Sequence, residues 1–273
     1  MKVYELHYSA TNTYLIEGEK GRILFDTGWA GTFPAFCKAM GEIRIPVQSV
    51  DYILISHFHP DHMGIAQEIA DLGPVIAVMD VQVDFVHSSD AVFAKERNMR
   101  FIPIRDDKIR RISLRDSRAF LLELGIEGEI LHTPGHSEDS VSLCLDNGTL
   151  FAGDLNPLYE LELHEGTKIA ESWKKLLDLH PSTVFYGHAR AAALRRQSDT
   201  AERDKDLYEL VRRIMKYIDK GISVDRICGK TGSDRSFVEN VARMYLTHQN
   251  VGVQGILDRI ELRGRTDRKH TNI

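Results

Sequence analysis

Cysteine is scarce in this chain: Cys37, Cys144 and Cys228 stand far apart, and no two share a Cys-x-x-Cys spacing. That pattern excludes a disulfide framework and a thiolate zinc site. Cys144 lies in the apolar run Val141-Ser142-Leu143-Cys144-Leu145, the setting of a buried structural thiol. Long apolar runs are missing as well. No stretch approaches the length of a membrane span, and Met1-Lys2-Val3-Tyr4-Glu5-Leu6-His7 has no apolar signal core. A cytoplasmic, reducing location is the default expectation. Positive charge is not in excess either. The formal net charge of −5 argues against a polyanion partner, although a local basic patch can bind nucleic acid on an acidic protein. There is no internal repeat and no low-complexity tract.

What is present is ordinary for a globular protein: 42% hydrophobic and 27% charged residues over 273 positions. That length suits one large domain, or one domain with a small appendage. Short apolar runs at Thr13-Tyr14-Leu15-Ile16 and Gly21 to Asp26, separated by Glu17-Gly18-Glu19-Lys20, predict two strands and a polar turn. A helix is expected over Phe33 to Met40. Val50 to Ser56 then reads as a strand covered on both faces, ending where a histidine run begins. Ile65 to Leu72 reads as a helix and Pro74 to Val78 as a strand.

From Asp84 to Arg118 the sequence is charged and poorly periodic, which predicts a solvated surface insertion or, alternatively, a lid. Strands resume at Gly128 to His132, Ser140 to Leu145 and Thr149 to Ala152, with Asp146-Asn147-Gly148 as a hairpin turn. A helix over Ala170 to Leu179 leads through His180-Pro181 to a strand at Thr183 to Tyr186. Strands with interleaved helices predict a layered architecture. After about Ser198 the pattern turns helical: Leu207, Leu210, Val211, Ile214, Tyr217 and Ile218 share one helical face, and Gly221 marks a stop. Shorter helices are expected at Val224 to Cys228 and from Asp234 to about His248. A frayed tail is expected from Arg263.

The chemistry concentrates in His57-Phe58-His59-Pro60-Asp61-His62, where four metal-binding donors fall within six residues. Neutral imidazole and carboxylate oxygen both suit a divalent ion of zinc type, and a loop after a strand turns such donors inward together. Three further sites end strands on polar donors: Thr133-Pro134-Gly135-His136-Ser137, Phe151-Ala152-Gly153-Asp154 and Phe185-Tyr186-Gly187-His188. A mononuclear site needs about three protein ligands and a water, so this inventory is enough for two ions.

These motifs, with Leu24-Phe25-Asp26-Thr27-Gly28 upstream, resemble the metallo-β-lactamase superfamily over residues 1–197. The resemblance implies an αββα four-layer sandwich; with the small helical domain that the pattern predicts over 198–273, the expected fold class is α+β. It implies that His57, His59 and His136 hold one metal, that Asp61, His62 and His188 hold the second, and that Asp154 bridges both. Asp26 matches the position that orients ligands from behind, and Asp61 the proton shuttle. The cofactors implied are two divalent ions, zinc first, with iron or manganese as alternatives. The class implied is a metal-dependent hydrolase.

Departures narrow the substrate. Asp154 stands where the best-known antibiotic-degrading class has cysteine, which weighs against β-lactam hydrolysis. His59 stands where flavin-linked diiron relatives have glutamate, which favours hydrolysis over redox chemistry. A small ester, thioester or lactone is expected as substrate, with a small phosphodiester as the alternative. The acyl-homoserine lactonases of the superfamily, which this chain resembles in Thr133-Pro134-Gly135-His136-Ser137, use a tyrosine three residues beyond the bridging aspartate; this sequence has Pro157 there, with Tyr159 two residues on. Trp29 and Phe33 are candidates for a substrate wall or for simple packing. His164, His180, His87 and His132 are not expected to be ligands.

The segment from Val224 through Gly229-Lys230-Thr231-Gly232-Ser233 into Asp234 resembles a helix-turn-helix unit, which in a regulator reads a DNA major groove. Its second helix opens with one cation, Arg235, against Asp234 and Glu239. A DNA-reading face needs more positive charge. The expectation is an accessory helical domain that packs on the sandwich or mediates self-association as a homo-oligomer, without nucleic acid or membrane as partner.

Overall fold

The computed structural model describes residues 1–95, 100–194, 201–247 and Ile256. The chain divides into two compact units. One comprises Met1–Leu155 with Thr167–Leu194, the other Asn156–Gly166 with Arg195–Ile273. The boundary expected near Ser198, the tail from Arg263 and the end of the last helix at His248 lie outside the described residues.

The larger unit is built on two sheets. The first runs in the order β1 (Lys2–Leu6), β2 (Thr13–Glu17), β3 (Arg22–Phe25), β4 (Tyr52–Leu54), β5 (Val75–Met79), β6 (Ile109–Ile112). β1, β2 and β3 pair antiparallel, and β3 through β6 pair parallel. The second sheet has the order β11 (Ala192–Ala193), β10 (Thr183–Phe185), β9 (Thr149–Phe151), β8 (Val141–Leu145), β7 (Gly128–His132). β7 and β9 each pair antiparallel with β8, and β9 pairs parallel with β10. β7, β9 and β10 therefore point the same way.

Strand alternation sorts the core. Successive side chains face opposite sides of a sheet. Tyr14, Ile16, Ile23, Phe25, Leu54, Ala77 and Met79 accordingly join Leu143, Leu145 and Phe151 of the second sheet in one buried cluster. Their neighbours Leu15, Leu24, Ile53, Ile76 and Val78 face the other side and pack with Phe36, Ala39 and Met40. Those three belong to α1 (Phe33–Glu42), which begins with proline in its first turn. Two short helices, α2 (Pro60–Met63) and α3 (Ala66–Ala70), follow β4. On the second sheet, α6 (Lys168–Leu177) buries Trp173 and Leu176. The result is the expected αββα sandwich.

The stretch 84–118 is more regular than its charge suggests. It holds α4 (Asp90–Phe93), the edge strand β6 and the start of α5 (Ser117–Glu123). Phe93 and Ile104 are buried in the outer core cluster, and the Phe93 and Phe101 rings stack with centroids 4.0 Å apart. In β6 the guanidinium of Arg110 lies over Tyr52 and Phe120 and pairs with Glu123, while Arg111 faces solvent. The strand β1 also goes beyond the sequence expectation.

The second unit contains α7 (Ala201–Asp219), α8 (Val224–Thr231) and α9 (Arg235–Thr247). Val211, Ile214, Ile227, Val238, Val241, Met244 and Ile256 form its core. Gly221 and Gly232 follow α7 and α8 in left-handed backbone, as helix stops.

Candidate metal centre

Parallel strands deliver the polar donors to one edge. Asp26 follows β3, His57 lies three residues beyond β4, His136 follows β7, Asp154 follows β9 and His188 follows β10. In layered α/β folds the crevice outside the strands' carboxyl ends is the natural place for a site. His59 caps α2 in extended conformation, Pro60 opens that helix, and Asp61 and His62 lie within it. Asp26 itself adopts a left-handed backbone, φ 62°, a conformation that aspartate visits more readily than most residues.

Seven side chains converge as two groups. His57, His59 and His136 form one, and Asp61, His62, Asp154 and His188 the other; within each group the nearest ligand atoms all lie within 4.8 Å of one another. Hydrogen bonds behind the rings fix which nitrogen faces inward. His62 Nδ1 lies 2.9 Å from Asp26 Oδ2 and must carry the proton towards that carboxylate, leaving Nε2 to the site. His188 Nδ1 lies 3.1 Å from the carbonyl of Ala10, which only accepts, so its Nε2 also faces inward. Ser56 Oγ donates to Asp26 Oδ2 at 2.9 Å and can accept from His57 Nδ1 at 3.0 Å. Asp26 thus orients His62 directly and His57 through Ser56, the arrangement that holds imidazole ligands elsewhere.

The inward atoms crowd one another. His59 Nδ1 is 3.0 Å from His57 Nε2 and 3.1 Å from His136 Nε2. Asp154 Oδ2 is 3.2 Å from His62 Nε2, 3.3 Å from His188 Nε2 and 3.6 Å from His136 Nε2, reaching both groups. Asp61 Oδ2 is 2.9 Å from His188 Nε2. His62 Nε2 and Asp154 Oδ1 are buried without a hydrogen-bond partner. Buried polar atoms without partners are costly, and nitrogen and carboxylate donors of this kind are those that divalent zinc or iron takes. The residues present fit two metal ions.

Electrostatics follow from burial and pairing. Burial, then the neighbouring His62, pushes the His57 imidazole well below its ordinary range, and burial lowers His136. Burial also disfavours charge on His62, but Asp26 and Asp154 outweigh it and raise that group to about 10. Asp154 and Asp61 raise His188 to about 10. Burial would raise the Asp154 carboxyl, yet His188 and His62 hold it far below the usual carboxylate range.

Close packing supports the centre from behind. A Cβ on Gly187 would fall on Asp154 Oδ1 and His62 Cε1, so only glycine fits there. Asp139 Oδ2 accepts from the Phe58 amide at 2.7 Å, while Gln82 Nε2 donates to the carbonyls of Ile55, Ser56 and Asp139. Ser89 Oγ donates to the Phe58 carbonyl at 2.5 Å. The stretch 84–118 is thereby fastened to the back of the histidine loop. Ser56, Gln82 and Asp139 are missed by sequence reasoning; Ser56, a hydroxyl ending an apolar strand, carried the only visible signal.

Other sequence candidates fall elsewhere. Trp29 packs edge-on against Phe93, and Phe33 stacks on Phe36. His87 pairs with Asp90, His132 Nε2 meets the Glu138 carbonyl, and His180 ends the α6 turn in left-handed backbone. His164 and Tyr159 lie in a seven-residue 3-10 helical stretch, Leu158–His164, of the second unit.

Comparison with known proteins agrees with this geometry. The metallo-beta-lactamase superfamily profile matches residues 8–188, and the chain belongs to that superfamily. A "Beta-lactamase-like protein 2 homolog" of Drosophila melanogaster is 33% identical over 186 residues, 65% of this chain and 58% of that protein. An "Atrochrysone carboxyl ACP thioesterase" of Aspergillus terreus is 25% identical over 146 residues, 53% of this chain and 38% of that one. The matched stretch therefore spans little more than half, or less, of these relatives. The solved structure of TTHA1623 in a di-iron-bound form has a TM-score of 0.52 at 25% identity, covering 73% of this chain and 98% of that one.

Proposed function

We propose that this protein is a binuclear metal-dependent hydrolase acting on a small ester, thioester or lactone. The observation that carries the reading is the convergence of seven donors into two groups, with Asp154 reaching both. In this reading His57, His59 and His136 hold one ion, Asp61, His62 and His188 the other, and Asp154 bridges. Zinc is the first choice; iron is supported by the di-iron-bound relative, and manganese remains an alternative. When bound, two such ions lower the pKa of a shared water and polarise the oxygen of an electrophilic carbonyl.

The protein's own residues have distinct tasks. Asp26 and Ser56 hold the tautomers that turn His62 and His57 inward. Asp61, its side chain half-buried and its Oδ2 2.9 Å from His188 Nε2, would take a proton and pass it to the leaving group. The relative named as an acyl-carrier thioesterase supports an acyl substrate over a phosphodiester. A cytoplasmic location rests on the free thiols of Cys37, Cys144 and Cys228.

For the helical unit we propose self-association rather than DNA reading. Arg235, the cation at the start of α9, pairs with Asp225 and Glu239, which removes it from a phosphate-binding role. No helix among the described residues is long and apolar enough to cross a membrane. The test of the whole reading is a panel of generic esters, thioesters, lactones and phosphodiesters, run on protein of measured metal content. Turnover confined to phosphodiesters would replace the acyl reading.

A further inference from the structure

The loop between β1 and β2, residues 7–12, touches only one half of the candidate centre. Thr11, 1% exposed, donates from Oγ1 to the backbone carbonyl of Asp61 at 2.7 Å. The carbonyl of Ala10 receives His188 Nδ1 at 3.1 Å. Asn12 grips the turn that carries His188 at three points: its amide donates to the Gly187 carbonyl at 2.7 Å, and Nδ2 donates to the carbonyls of Tyr186 and Ala189, each at 2.9 Å. The loop is itself pinned. Tyr8 OH donates to the Thr27 carbonyl at 2.6 Å, and the Thr11 amide donates to Ser9 Oγ at 3.2 Å.

These contacts join two sheets. The loop belongs to the first sheet, whereas the turn 186–189 continues β10 of the second. Asp61 and His188 therefore arrive from different sheets, and their Oδ2 to Nε2 separation of 2.9 Å is bridged behind by one short piece of chain. In the other group, Ser56 Oγ lies 3.0 Å from His57 Nδ1, and Asp139 and Gln82 hold the backbone at Phe58 and Ile55, in the loop that carries His57 and His59. Among the described residues, no hydrogen bond of Thr11 or Asn12 reaches those three.

We infer that Thr11 and Asn12 are positioning residues that set the affinity of the Asp61/His62/Asp154/His188 group for its ion, separately from the His57/His59/His136 group. Resting on the two-ion reading above, this adds that the loop 7–12 acts on one position only, whereas Asp26, Ser56 and Asp154 serve both. Partners behind the ligands are worth about 10–100-fold in metal affinity elsewhere. Loss of the hydroxyl of Thr11 or the amide of Asn12 should therefore weaken one ion and spare the other.

The experiment titrates zinc into metal-stripped full-length wild type, Thr11→Val, Thr11→Ser, Asn12→Ala and Asn12→Asp, against a chromophoric chelator, with circular dichroism as the check on folding. The wild type should bind two equivalents. Thr11→Val, Asn12→Ala and Asn12→Asp should bind the first as the wild type does and the second about tenfold or more weakly, while Thr11→Ser restores it by keeping the hydroxyl. Two equivalents at wild-type affinity in all the variants would overturn the inference, as would equal weakening of both ions. A wild type that binds no more than one equivalent would overturn the two-ion reading itself and this inference with it.

Discussion

His62 Nδ1 lies 2.9 Å from Asp26 Oδ2, and neither side chain has any solvent exposure. A neutral imidazole can offer a lone pair from only one nitrogen. Asp26 decides that it is Nε2, and through Ser56 it decides the same for His57. Asp26→Asn keeps the shape but removes the charge, and Asn can present an N–H where the ring needs an acceptor. Metal affinity should fall by about 10–100-fold, measured by zinc titration of a variant whose far-ultraviolet circular dichroism is unchanged.

The two ligand groups should differ in how pH governs them. Burial lowers both His57 and His136 towards the neutral form, so these two imidazoles take an ion with little proton release near neutral pH. Asp26, Asp154 and Asp61 raise His62 and His188 to about 10, which favours their protonated forms in the metal-free protein at neutral pH. Both must lose a proton to become ligands. Affinity for the second ion should therefore rise steeply with pH from neutrality towards 10, and affinity for the first should stay nearly flat. Calorimetric titration in buffers of different ionisation enthalpy measures the protons released at each step. Equal release at both steps would contradict the assignment.

Asp154 reaches donors of both groups, at 3.2 Å from His62 and 3.6 Å from His136. Asp154→Ala should lose metal and activity together. Retention of two ions with full turnover would remove Asp154 from the bridge, as read by metal analysis and a single assay on the same sample.

Gly187→Ala should act through sterics alone. Its Cβ would meet Asp154 Oδ1 and His62 Cε1, so the fold should persist while the Asp61/His62/Asp154/His188 group loses affinity. Zinc titration beside a thermal melt separates the two effects.

Asp139→Ala strips the buried Phe58 amide of its acceptor. An unsatisfied buried donor costs about 1–3 kcal/mol, and the loop that loses its anchor carries His57 and His59. Chemical denaturation should show a loss of that size in the metal-free protein.

Much of this was legible in sequence for identifiable reasons. Ligands sit at strand ends, so His57, His136, Asp154 and His188 each stood beside a short apolar run, and period-two alternation placed those runs in sheets. The less visible parts depend on contacts between distant residues. Thr11 meets Asp61 and Asp139 meets Phe58 across 50 and 81 positions, and no local pattern announces such pairs. β6 was hidden because Arg110 and Arg111 break its apolar pattern. Arg110 belongs there only because Tyr52, Phe120 and Glu123 receive it.

The most direct measurement is turnover of an acyl panel (esters, thioesters and lactones) by metal-stripped protein, followed as zinc is added back by known equivalents. If the seven residues hold two ions for hydrolysis, activity is absent at the start, rises with added zinc and reaches its plateau at two equivalents. Full turnover by the metal-free protein, or no turnover of any acyl substrate at two bound equivalents, would contradict a binuclear acyl hydrolase.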